Sequence, residues 1–128
     1  MGFFSNLFKA SEPKETKLLP WIALTDFRQL NDIKERSNNK TQVIFKHSAR
    51  CGASRMVLNQ FINTYVLTEN DLDLYFLDLI NFRTVSNEVG YTFQVMHESP
   101  QLLVIKNGEV VAHSSHGGVN TIDLNDFL

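Results

Sequence analysis

A single cysteine, Cys51, stands in the run Cys51-Gly52-Ala53-Ser54. A thiol between a strand and a helix is placed for nucleophilic exchange. The free N–H groups of the first helical turn and the positive end of the helix dipole both favour the thiolate. Lys46, His47, Arg50 and Arg55 fall within five residues of Cys51, and no carboxylate does. Positive charge so close favours the thiolate further. The spacing is that of a two-cysteine redox motif with serine in the second place. Serine does not resolve a mixed disulfide, so the adduct must pass to an external thiol, which is a one-thiol mechanism. Ser54 either hydrogen-bonds the Cys51 thiolate or caps the helix, and spacing leaves both open. The competing reading of a lone cysteine is an inert, buried small hydrophobe.

Three further groups carry potential chemistry. His47 lies four residues before Cys51. A Cys–His nucleophile pair also needs an orienting Asn or Asp and an oxyanion hole, and none stands out. His47 is therefore read as lining the loop, as a polar wall or a mild electrostatic partner of the thiol. Ser99-Pro100 opens an apolar run, and proline in a sheet is confined to a strand's start or edge. Gly117-Gly118 precede Val119-Asn120-Thr121. Glycine allows close backbone approach, and a helix starting there would offer N–H groups to a carboxylate. A plain turn and cap accounts for the same residues. Four histidines and one cysteine make no ligand cluster, so no metal is expected. His113 and His116 are read as surface residues of a loop.

The elements that must position these groups follow from periodicity. Thr25-Asp26 with Phe27, Leu30 and Ile33 predicts a capped helix over 26–37. Val43-Ile44-Phe45 predicts a buried strand over 41–46, followed by a helix over 51–66. A strand over 71–80 and a short helix over 84–91 come next. Leu102 to Ile105 forms another strand, and Asn107-Gly108 is the strongest short hairpin signal, returning the chain over 109–113. A last helix is expected from Asn120 or Thr121 to residue 128. Strands joined by helices imply parallel pairing, and the hairpin adds an antiparallel strand. The fold class is α/β: a thioredoxin-like fold with a central four-stranded mixed sheet flanked by helices and an additional N-terminal helix. Residues 1–17 read as an N-terminal turn and linker, and residues 18–128 as the domain.

The chain has 128 residues with 43% apolar and 20% charged side chains, enough for one domain with a real core. A formal charge of -2 excludes general nucleic-acid binding. No apolar run reaches membrane-spanning length. The first nine residues carry too little positive charge for a secretory signal, and Asn6 departs from the myristoylation pattern. The expected protein is cytoplasmic, with no membrane partner, and a monomer or weak dimer.

Taken together, Phe45-Lys46-His47-Ser48 leading to Cys51 and Ser54, with Trp21 upstream and Ser99-Pro100 downstream, resemble the monothiol bacilliredoxin (YtxJ-like) family of the thioredoxin superfamily. The resemblance runs from about Trp21 to Leu128. It implies reduction of mixed disulfides between proteins and bacillithiol, an external thiol co-substrate, with no bound cofactor. Cys51 would be the nucleophile, and Ser99-Pro100 a cis-proline loop facing it. Gly52 departs from what the family carries there and opens room beside Cys51. Bacillithiol bears a malate with two carboxylates, so Lys46, Arg50 and the region of Gly118, Asn120 and Thr121 are the expected anionic-group anchors. The partners implied are bacillithiol and S-thiolated proteins. The rival functions are a monothiol glutaredoxin-like iron–sulfur carrier and a non-catalytic binding module on the same scaffold.

Overall fold

The computed structural model describes residues 17–128. The turn and linker expected over 1–17 fall, but for Lys17, outside the described residues. The chain forms β1 (Trp21–Ala23), α1 (Gln29–Arg36), β2 (Gln42–His47), α2 (Gly52–Thr64), β3 (Asp73–Asp78), α3 (Arg83–Phe93), β4 (Gln101–Lys106) and β5 (Glu109–Ser115). Two short 3₁₀ segments, His116–Thr121 and Leu124–Phe127, complete it.

The strands make one mixed sheet in the order β1-β3-β2-β4-β5. Pairing is parallel for β1–β3 and β2–β3 and antiparallel for β2–β4 and β4–β5. Among the described residues the sheet has five strands rather than four, because Trp21–Ala23 pairs with β3. The first helix therefore follows a strand and is not an N-terminal addition. Three residues are too few to show a period-two pattern, which hid β1 in the sequence. The Asn107-Gly108 turn has φ of 54° and 80°, the left-handed pair that a two-residue hairpin requires.

Alternation along the strands divides the core. Ile44, Tyr75, Leu77, Leu103 and Ile105 face α1 and α3, where Leu30, Ile33, Val85, Val89 and Phe93 meet them. Val43, Phe45, Leu74, Leu102 and Val104 face α2 and the C-terminal segments, meeting Phe61, Tyr65, Val119 and Leu124. Every residue of the central strand β2 is buried, because both of its faces and both of its edges are covered.

No α-helix forms over 120–128. Val119, Ile122, Leu124 and Phe127 instead turn inward onto the α2 face. Asp123 separates the two 3₁₀ segments and caps the second by accepting the Asn125 N–H at 3.0 Å.

Candidate active site

The carboxyl ends of β2 and β3 and the start of β4 meet at one end of the sheet, and Cys51 lies there. The register pairs Lys46 with Gln101, which carries Pro100 across from His47. His47 O accepts the Leu79 N–H at 2.9 Å, and Pro100 O accepts the His116 N–H at 2.9 Å. Ser99–Pro100 is a cis peptide bond.

Cys51 is half-buried, unpaired and extended (φ -104°, ψ 119°), and it is the residue that enters α2. Its N–H donates to Ser48 O at 3.1 Å, and its carbonyl accepts the Arg55 N–H at 3.1 Å. The first turn of α2 contains no acidic residue, so nothing there opposes a thiolate at the dipole's positive end. Arg55 folds back over the loop and donates Nη1 to Ala49 O at 2.8 Å. Its other nitrogen lies 3.7 Å from where a Cβ on Gly52 would sit. The space beside Gly52 is thus occupied by a guanidinium, and a side-chain carbon there would meet only ordinary contact. Arg50 is exposed and adjacent in sequence. Between the two arginines, Arg55 is the one the fold turns back toward the loop.

Ser54 is fully buried. Its Oγ accepts the Ser48 N–H at 3.1 Å and is hydrogen-bonded to His47 Nδ1 at 2.9 Å. It therefore makes neither of the contacts expected of it: it serves the loop, and no side chain caps α2. Burial, with a smaller push from Arg55 against the pull of Asp78, holds His47 below the usual histidine range. A neutral imidazole accepting at Nδ1 fits that environment. Its ring tilts on Phe76 with centroids 5.6 Å apart.

Three expected anchors are elsewhere. Lys46 has no exposed surface; it sits on the central strand and points to the α1/α3 face, so no dissolved anion reaches it. Asn120 and Thr121 start no helix. Asn120 donates Nδ2 to Val57 O at 3.1 Å, and Thr121 donates Oγ1 to Gly118 O at 2.6 Å. Both line a cleft with Thr64, Tyr65 and Leu67 at the far end of α2 from Cys51. Gly118 has a steric role: a Cβ there would come within 2.1 Å of Ser114 Oγ. Sequence reasoning also missed Ser86 and His97, which surround Lys46. Only the position of His97, three residues before Pro100, hinted at it.

Over residues 22–124 the sequence matches the family described as monothiol bacilliredoxin BrxC. The chain belongs to the monothiol bacilliredoxin family. It is also similar to a solved structure described as a proposed oxidoreductase with a thioredoxin fold, at 33% identity and a TM-score of 0.69, covering 84% of this chain and 92% of that one. Thioredoxins from Malassezia sympodialis and Schistosoma mansoni are similar at 15% and 19% identity with TM-scores of 0.62 and 0.60. They cover 86% and 84% of this chain and 89% and 91% of their own. At that identity they show the fold alone. This bacilliredoxin has the thioredoxin fold and a thiol redox function, with Cys51 its one cysteine. Among the described residues no helix is long and apolar enough to cross a membrane.

Proposed function

We propose that this bacilliredoxin reduces mixed disulfides between proteins and bacillithiol through Cys51. The observation that carries the reading is a lone, half-buried cysteine at the head of α2 with a serine, not a thiol, one turn on, in a chain of this family. The Cys51 thiolate attacks the bacillithiol sulfur of the mixed disulfide. The protein thiolate leaves and takes a proton from solvent, and Cys51 is left disulfide-bonded to bacillithiol. A second bacillithiol thiolate attacks the bacillithiol sulfur of that adduct, releasing bacillithiol disulfide and restoring Cys51. Ser54 cannot intercept the adduct, so the external thiol is a true co-substrate. Arg50 and Arg55 are the exposed cations that supply charge for the malate carboxylates, in place of Lys46. The reaction needs a reducing compartment, which fits a cytoplasmic protein.

Intact mass after incubation with oxidised bacillithiol, and separately with oxidised glutathione, tests the reading against Cys51→Ala. The expected result is a fast bacillithiol adduct that is absent in the variant and reversed by reduced bacillithiol. A preference for glutathione would replace the co-substrate. Absence of any adduct would leave a binding module.

A further inference from the structure

Behind the Pro100 segment lies a second polar cluster, on the opposite face of the sheet from Ser54. Lys46 Nζ is 3.3 Å from Ser86 O in α3 and 3.2 Å from His97 Nδ1. Ser86 Oγ lies 3.4 Å from the same Nδ1. Gln101, the ladder partner of Lys46, shares that face and donates Nε2 to Met96 O at 2.9 Å. Three rigid elements, β2, α3 and β4, thus converge on residues 96–100, the segment that ends beside Cys51's loop. Arg83 and Glu98 are the other charges felt by His97. Among the described residues, no carboxylate pairs with Lys46.

A buried ammonium without a counterion is costly, and an apolar side chain would fill a central-strand position at lower free energy. What the ammonium provides that an apolar side chain cannot is a directional tether. We propose that Lys46 is a positioning residue for disulfide exchange: through His97 it fixes residues 96–100, so that Ser99 and Pro100 present a preformed edge to the disulfide that Cys51 attacks. A preformed edge lowers the ordering cost of docking. The inference rests on the exchange reaction proposed above.

The test compares Lys46→Met, His97→Ala and the double variant, each verified as folded by urea unfolding. Exchange is measured with a bacillithiolated peptide, alkylation of Cys51 with iodoacetamide, and the Ser99 amide shift by NMR. Each single variant is expected to raise KM roughly 10-fold, the scale of one charge-assisted hydrogen bond. Alkylation, which needs no docking, and kcat stay within about two-fold, because neither residue touches the reacting sulfur. The double variant is no worse than either single one, since both remove one tether. An unchanged KM overturns the proposal, as does alkylation falling in step with kcat/KM, or additive losses. Should the wild type fail to exchange, the proposed function falls, while the Ser99 shift still decides the tether. Movement of that amide in both single variants supports it, and an unmoved amide overturns it.

Discussion

Replacing Lys46 with methionine isolates the free-energy cost of the buried ammonium. Methionine is unbranched and of similar length, so the packing around β2 is largely conserved. Burial lowers the Lys46 ammonium from its ordinary 10.5 to about 8. At ~1.4 kcal/mol per pH unit, that displacement amounts to at most about 3.5 kcal/mol. Below pH 8 the folded and unfolded chains both hold the proton, and the cost of burying the charge is fully present. Between about 8 and 10.5 the folded chain has released a proton that the unfolded chain retains, so stability rises with pH. Lys46→Met should therefore equal or exceed the wild type in stability at pH 7, by up to ~3.5 kcal/mol less the two lost hydrogen bonds. That advantage should shrink by ~1.4 kcal/mol per pH unit above 8. Urea unfolding of both proteins in half-unit steps from pH 7 to 10, under reducing conditions, reads the difference. Burial holds Tyr65 and Tyr75 up at about 12, which pulls both curves down alike above pH 10 and cancels between them. Parallel stability curves would refute the argument, because they would mean that Lys46 titrates the same way folded and unfolded.

Ser54→Ala removes the acceptor of the Ser48 N–H and the hydroxyl bonded to His47 Nδ1, and should lower stability by ~1–3 kcal/mol in urea unfolding. Its Cys51 adduct should still form; a more than fivefold slower adduct would place Ser54 in the chemistry. Gly118→Ala should cost no more than about 1 kcal/mol, read as a nearly unchanged Tm, because the Ser114 hydroxyl can rotate away and its Cβ would then lie 3.4 Å from the new carbon. Gly52→Ala has room for the Cβ and should gain ~0.4–1 kcal/mol by the same measurement. For Asp73, burial raises the carboxyl, but Gln42 at 2.8 Å, Lys40 at 3.0 Å and Arg36 outweigh it and hold it below its ordinary 3.8. The stability this contributes is present above pH 3.8 and lost as acid carries the pH through the lower folded value. Acid titration of Asp73→Asn should show a shallower loss in that range than the wild type.

The reach of the sequence follows from how each residue signals its surroundings. Cys51 and α2 were legible because an apolar run, a short polar loop and a helical spacing succeed one another with no overlap. The Asn107-Gly108 turn was legible because few other residue pairs tolerate two positive φ angles. Lys46 was misread because a charged residue suggests solvent, whereas its place on the middle strand is decided by β1, β3, β4 and β5 together. Val119, Ile122, Leu124 and Phe127 approximate helical spacing over too short a stretch to exclude two 3₁₀ segments. Arg55 lies over the loop because the first turn of α2 aims residue 55 back across residue 52, a direction that sequence proximity alone does not show.

The aromatic stack at the sheet edge supplies the molecule with its own optical gauge. Trp21 is the chain's one tryptophan. It lies 5.1 Å from Phe76 and 6.1 Å from Phe61, centroid to centroid. Its emission therefore reports in one signal whether β1 is zipped to β3 and whether α2 is seated on the sheet.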